Sequence, residues 1–273
     1  MKLSCLPVSY FRALIEGTMT IPEWLAQAAA LGLDGTDLSV LFFERRGAAM
    51  LRDLRTRIAD AGLSLAILNT YPDLTHPDAA TRQGEARQLV EDIRLASLLG
   101  AANVRVVAGP RHPETTRADG IRWCVEALRA ASAAAGDEAV RLVFENHSQP
   151  AGWERPDFSF DPEVFLSIAD GLAGSRVAIL FDTANPIAWG AEPLAILERV
   201  IDRVTCVHAA DTSVRGMLRP SQIGKGLVPF ARIFRRLKQA GFDGWISIEE
   251  ASGTGTAGMR QAVSAVQRAW AEA

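Results

Sequence analysis

Apolar positions along this chain follow two alternating rhythms. Short β-rich runs return about every thirty residues, and most are followed by a longer stretch whose apolar residues repeat at helical spacing. Leu89, Val90, Ile93, Ala96 and Ser97 form one such face, with Glu91, Asp92 and Arg94 opposite and Gly100 supplying the stop. Leu51, Leu54, Ile58 and Ala61 before Gly62 repeat that logic, as do Phe230, Ile233, Phe234, Leu237 and Ala240 before Gly241. The pattern predicts amphipathic helices covering a sheet.

Strands are predicted at Leu3 to Leu6, Gly35 to Ser39, Ser64 to Asn69, Val104 to Val107, Arg141 to Glu145, Val177 to Asp182, Val204 to His208 and Trp245 to Glu249. Their apolar character on both faces suits parallel strands, buried by helices outside and by a barrel interior within. Leu31-Gly-Leu-Asp-Gly35 and Ala240-Gly-Phe-Asp-Gly244 echo each other, each ending a helix on glycine before a strand. The expected fold is α/β, a single (β/α)8 TIM barrel over residues 1–273, with an open doubly wound sheet as the structural alternative. No linker divides the chain, and Gln149 to Pro162, with Trp153 and Phe158, reads as a long loop over the mouth.

Composition narrows the function classes. The chain has 273 residues, 48% of them hydrophobic, which suits one such barrel. Lys and Arg number 29 against 32 Asp and Glu, so broad attraction to nucleic acid or to an anionic membrane is not indicated. The N-terminal apolar run is broken by Pro7, Arg12 and Glu16, and no later run reaches the roughly 18 residues of a membrane helix. Cys5, Cys124 and Cys206 are odd in number and widely spaced, which argues against disulfides and a zinc knuckle and makes a reducing cytoplasm the simplest compartment.

The last four strands carry the chemistry. They read Arg141-Leu-Val-Phe-Glu145, Val177-Ala-Ile-Leu-Phe-Asp182, Val204-Thr-Cys-Val-His208 and Trp245-Ile-Ser-Ile-Glu249, each ending in a metal-ligand type. C-terminal strand ends of a barrel converge on one mouth, so residues distant in sequence share a site there. Carboxylates gathered without a cation repel and take up protons, whereas a divalent ion neutralises them and uses their oxygens as ligands. Three carboxylates and an imidazole favour Mn²⁺, Mg²⁺ or Co²⁺, with catalytic Zn²⁺ compatible. Alternation from Ser247 selects Glu249 over Glu250 as the inward residue.

These segments resemble the xylose-isomerase-like TIM-barrel superfamily, in particular its sugar phosphate isomerase/epimerase branch, over nearly the whole chain. The resemblance is carried by Leu142-Val-Phe-Glu145-Asn146-His147, Leu180-Phe-Asp182-Thr-Ala-Asn185, Val207-His208-Ala-Ala-Asp211-Thr212, and Ile223-Gly-Lys-Gly226 followed by Gly241-Phe-Asp-Gly-Trp-Ile-Ser-Ile-Glu249. It implies that Glu145, Asp182, His208 and Glu249 bind the metal. It also implies that Glu145 and Glu249 flank the substrate as proton-transfer groups.

Neighbouring positions are candidates for substrate binding. His147 matches a Glu-Asn-His run frequent in the resembled family and is expected to hydrogen-bond a substrate hydroxyl, or else to be a structural loop histidine. Asp211 is expected to orient a ligand or substrate and Arg215 to bind substrate oxygens, against a plain loop salt bridge. Asn185 departs from the histidine that several sugar epimerases carry there; it still offers hydrogen bonds but cannot shuttle a proton near neutrality. Gly224-Lys225-Gly226 reads as a plain turn before it reads as a phosphate cradle. Trp153 and Trp189 fall in loops where an aromatic face can meet sugar carbons, while Trp24 and Trp270 read as helix packing residues.

The expected activity is isomerisation or epimerisation of a small polyhydroxylated carbonyl compound, by proton abstraction to a metal-stabilised enediolate. The alternative is a metal-dependent dehydratase of an inosose- or dehydroshikimate-like substrate; a noncatalytic sugar-binding barrel ranks below both. The superfamily's DNA endonucleases hold three zinc ions with many histidines, and only His76, His112, His147 and His208 occur here. The expected partner is a small polyol or sugar, with neither nucleic acid nor membrane; a homo-oligomer is compatible with the sequence.

Overall fold

The computed structural model describes residues 1–43, 47–136, 140–149 and 153–273. Eight strands, β1 (Lys2–Cys5), β2 (Gly35–Ser39), β3 (Ser64–Asn69), β4 (Asn103–Val106), β5 (Arg141–Glu145), β6 (Ala178–Asp182), β7 (Val204–Ala209) and β8 (Trp245–Ile248), form one parallel sheet. The sheet runs β1-β8-β7-β6-β5-β4-β3-β2, and β2 comes back beside β1, so the barrel is nearly closed and helices cover its outside. The architecture is a single (β/α)8 barrel, and every predicted strand lies within one residue of its expected bounds.

The helices form where the apolar periodicity placed them. Ala48–Asp60, Ala79–Leu99 and Phe230–Gln239 end before Gly62, Gly100 and Gly241, which adopt φ of 73°, 76° and 77°. That left-handed geometry turns the chain back towards the next strand at little steric cost only for glycine. Trp24 is fully buried on its helix and donates from Nε1 to Thr36 Oγ1 at 2.8 Å, while Trp270 packs against Phe234 and Phe242.

Two apolar regions separate the barrel's inside from its outside. Ile246 and Ile248 of β8, Val207 of β7 and Leu3 and Cys5 of β1 pack outward beneath the helices. Trp245 and Cys206, paired across β7 and β8, pack inward with Val143, Ala178 and Leu180 and plug the lower barrel. One inward step above Trp245 and Cys206 stand Ser247 and His208, again paired, and Ser247 also pairs with Ser4. Apolar filling thus gives way to polar groups as the strands approach the mouth. All three thiols are buried; burial raises each, with Cys206 pushed up to about 12. No helix among the described residues is long and apolar enough to cross a membrane.

Candidate functional site

Glu145 and Asp182 close β5 and β6, His208 lies one residue from the end of β7, and Glu249 follows β8 directly, its N–H donating to Ala209 O at 3.1 Å. One donor atom from each of these four lies within 4.8 Å of the others. His208 Nδ1 faces Glu145 Oε1 at 2.9 Å and Glu249 Oε1 at 3.2 Å. Asp182 Oδ1 accepts from the N–H groups of Ala184 (2.8 Å) and Asn185 (2.6 Å), which fixes its carboxylate plane. Glu145, Asp182 and His208 are almost wholly buried, whereas the Glu249 side chain is 20% exposed to the mouth. Glu250 turns the other way, accepting from Ser9 Oγ and from Ser252 N–H.

The charges are frustrated as they stand. Burial, then the charges of Glu249 and Glu145, pushes Asp182 well above the usual carboxylate range. Burial, with Glu145 adding, also raises Glu249 against the pull of His208. Burial acts on Glu145 too, but Arg105, His208 and His147 outweigh it and hold that carboxyl well below the usual range. His208 resists the same burial because Glu249 and Glu145 retain its proton. A divalent ion would supply the positive charge that protons supply here. The four donor atoms already lie within 4.8 Å of one another, close enough for side-chain movement to bring them onto a single ion. Three oxygens and one nitrogen fit such a cation.

Three residues that sequence reasoning did not single out complete the site. Arg105 on β4 is buried, with Nε 2.9 Å from Glu145 Oε2 and 3.1 Å from Asn69 Oδ1, and Nη1 donates to Thr70 O at 2.8 Å. The guanidinium also lies 4.6 Å over the Tyr71 ring. A lone arginine within the apolar run Val104 to Val107 was its sequence signal. Asn146 accepts from Asp182 N–H at 2.7 Å and donates to Asp182 O at 2.9 Å, locking the ends of β5 and β6 together. The third, Asp37, lies on β2 with Oδ2 3.8 Å from His208 Nε2.

A cavity of about 630 Å³ opens above Asp182 and Glu249 and is lined among others by Tyr71, Arg105, His147, Trp153, Asn185 and Asp211. Burial, with Arg105 and His208 adding, outweighs Glu145 and lowers His147 to about 4, so its ring is neutral near pH 7. Asn185 receives the Ser148 hydroxyl on Oδ1. Trp153 lines the mouth, but Trp189 does not: it packs against Phe160 and Phe165. Residues 150–152 of the long loop lie outside the described residues.

Two expectations meet a different local chemistry. Arg215 does not line the mouth; its guanidinium donates to Gly190 O and Ala191 O and pairs with Glu192 at 2.9 Å on the rim. Asp211 reaches the cavity, yet its oxygens accept from the N–H groups of Thr212, Gly224, Gly226 and Val228 at 2.9 to 3.2 Å. The Gly224 and Gly226 amides therefore wrap a carboxylate of this chain rather than an incoming anion, while the Lys225 N–H between them donates to Gln222 O. A Cβ on Gly226 would stand 2.2 Å from Asp211 Oδ1, so the wrap requires glycine there.

A second gathering of ligand types, Asp73, His76 and His112, sits half-buried on the loops after β3 and β4. His112 Nε2 meets Asp73 Oδ2 at 2.8 Å, and His76 Nδ1 accepts from Asp78 N–H at 3.1 Å. With Leu74 N–H on Ala108 O and Thr115 Oγ1 on Thr75 O, these bonds zip the two loops together.

Comparison with known proteins places this geometry in context. The model of the xylose isomerase-like TIM barrel family matches residues 25–269. The putative L-ribulose-5-phosphate 3-epimerase SgbU of Escherichia coli (strain K12) is 26% identical over 262 residues, covering 88% of this chain and 86% of that protein. An inosose dehydratase of Lacticaseibacillus casei is 28% identical over 92 residues, 27% of this chain and 30% of that one. Among solved structures, the IOLI protein with a binding zinc atom superposes with a TM-score of 0.77 at 16% identity, over 98% of this chain and 96% of that chain.

Proposed function

The chain belongs to the xylose isomerase-like TIM barrel family, and we propose that it is a divalent-metal-dependent isomerase or epimerase of a small, uncharged polyhydroxylated carbonyl compound. The observation that carries this reading is the convergence of Glu145, Asp182, His208 and Glu249 at the mouth of the barrel. A fold supports many reactions, so the chemistry is set by those groups.

Removing a proton beside a carbonyl sends the C–H electron pair towards the carbonyl oxygen, which gains negative charge. A divalent cation held by the four ligands supplies the positive charge that such an oxygen needs. Glu145, kept anionic by Arg105, is suited to accept the proton; Glu249, more ready to hold one and open to the mouth, is suited to return it. Delivery to the other face of the same carbon epimerises; delivery to the neighbouring carbon, with the hydroxyl proton of the first carbon passing to the old carbonyl oxygen, isomerises. His147, neutral near pH 7, and Asn185 offer hydrogen bonds to hydroxyl groups, and Trp153 offers an apolar face.

The described wall of the mouth supports an uncharged substrate. Arg105 is the only lysine or arginine lining the mouth among the described residues, and it is committed to Glu145, Asn69 and Thr70. The Gly224 and Gly226 amides are committed to Asp211, and that of Lys225 to Gln222 O. Neither is free to hold a phosphate.

The test is incubation of Mn²⁺-loaded protein in deuterated water with a panel of ketoses, inososes and their phosphate esters, followed by NMR. The reading expects deuterium at a carbon beside the carbonyl and a new isomer, with unphosphorylated compounds preferred. Absence of exchange and conversion across the panel would contradict it. A second reading, dehydration, is favoured by Asn185, which lacks a titrating group for proton return, and by the similarity to an inosose dehydratase. Dehydration would appear as a new conjugated carbonyl absorbance.

A further inference from the structure

Asp37 is fully buried on β2, and neither of its carboxylate oxygens has a hydrogen-bond partner among the described residues. A buried carboxylate is costly unless something pairs with it. The group facing it is His208, whose Nε2 stands 3.8 Å from Asp37 Oδ2 and has no hydrogen-bond partner among the described residues. The surrounding level is polar: Ser4 pairs with Ser247, Ser247 pairs with His208, and both serine hydroxyls are buried. His208 is the basic side chain in reach of Asp37, because Arg105, the buried cation of the site, is turned towards Glu145.

The two nitrogens of His208 look in different directions. Nδ1 faces Glu145 and Glu249, and Nε2 faces Asp37. An imidazole gives a metal the lone pair of its unprotonated nitrogen while the other nitrogen carries N–H. A carboxylate opposite Nε2 favours N–H there, fixes the ring plane, and leaves the Nδ1 lone pair on the side of the other three ligands. Bringing 3.8 Å to hydrogen-bond distance takes a movement of about 1 Å, well within what ligand binding draws from a loose apo contact.

We propose that Asp37 is a positioning residue for the metal centre, which orients His208 from beneath by accepting the hydrogen bond of its Nε2–H. This rests on the reading that Glu145, Asp182, His208 and Glu249 hold a divalent cation. A carboxylate placed for fold stability alone would be bonded within the barrel wall; this one has no hydrogen bond to another described residue.

Mn²⁺ affinity by equilibrium dialysis, the visible absorption of the Co²⁺ form and the melting temperature of the apoprotein are to be measured for wild type, Asp37→Leu and Asp37→Asn. The expected result is an Mn²⁺ affinity about 10- to 100-fold weaker in Asp37→Leu, a smaller loss in Asp37→Asn, which keeps an acceptor, a changed Co²⁺ band, and an apoprotein that melts no lower than wild type. Metal affinity and Co²⁺ absorption of Asp37→Leu indistinguishable from wild type would overturn the inference alone. Wild type that binds no divalent cation would overturn the site reading itself. Should Asp37→Leu fail to fold, nitrogen NMR of ¹⁵N-histidine wild type loaded with diamagnetic Zn²⁺ decides: His208 protonated on Nε2 supports the inference, and His208 bare on Nε2 overturns it.

Discussion

At the scale of single residues, the candidate ligands are held by neighbours both distant and close in sequence. Glu145 is held by Arg105, Asp182 by the backbone after β6 and by Asn146, and Glu249 by the chain end of β7. Replacing Glu249 with Gln removes one proton-transfer group while keeping its shape; turnover is expected to fall about 10²- to 10⁴-fold with substrate affinity partly retained, as steady-state kinetics and calorimetric titration would show. Asp211 illustrates a residue whose work is structural. Asp211→Ala leaves the N–H groups of Gly224, Gly226 and Val228 without their acceptor, so a loss of about 2 kcal/mol is expected in denaturant unfolding. The four candidate ligands stood out in the sequence because each is the first acid or histidine after an apolar run. Arg105, Asn146 and Asp37 did not, because their meaning depends on what the next strand brings opposite them. Arg215 and Trp189 were read as mouth residues because the path of a loop is set by tertiary contacts, here to Glu192 and Phe165, that no local pattern encodes.

At the scale of elements, strands and helices were legible almost to the residue because alternation, helical spacing and stopping glycines agree. The loops held more than the sequence disclosed. Between β5 and the helix Pro162–Gly171, Asp157 N–H donates to Ser148 O at 2.6 Å and Phe158 N–H to Gly109 O at 2.7 Å, joining this loop to the one after β4. The Asp157 carboxyl accepts from Ser159 N–H and Oγ through Oδ1, while Oδ2 is buried. Burial therefore outweighs the Ser159 bonds and raises its pKa from 3.8 to about 7. A carboxyl raised on folding binds its proton more tightly in the native state, so its contribution is fullest below about pH 4 and is lost as pH climbs towards 7. With about 1.4 kcal/mol per unit, the loss is of order 4 kcal/mol at most. Asp157→Asn keeps the Oδ1 acceptor and removes the charge; thermal melts from pH 4 to 8 are expected to show a flatter pH dependence than wild type.

At the scale of the whole molecule, the barrel gathers charge from four strands into one buried place and leaves it unbalanced. A cation that binds only the folded form stabilises it by mass action, about 2.7 kcal/mol at a hundred times the dissociation constant. Added Mn²⁺ is therefore expected to raise the melting temperature, and a chelator to reverse the gain; a melting temperature indifferent to both would argue against a resident ion. The whole-molecule arrangement was legible as eight βα units, whereas the apolar plug below Ser247 and the polar level above it emerge only once strand register is known. The most direct measurement of the central claim is anomalous diffraction at the manganese edge from crystals soaked in Mn²⁺. The account predicts one strong peak about 2.0 to 2.3 Å from donor atoms of Glu145, Asp182, His208 and Glu249 together. A map with no peak among those four residues, or with its manganese elsewhere on the molecule, would contradict it.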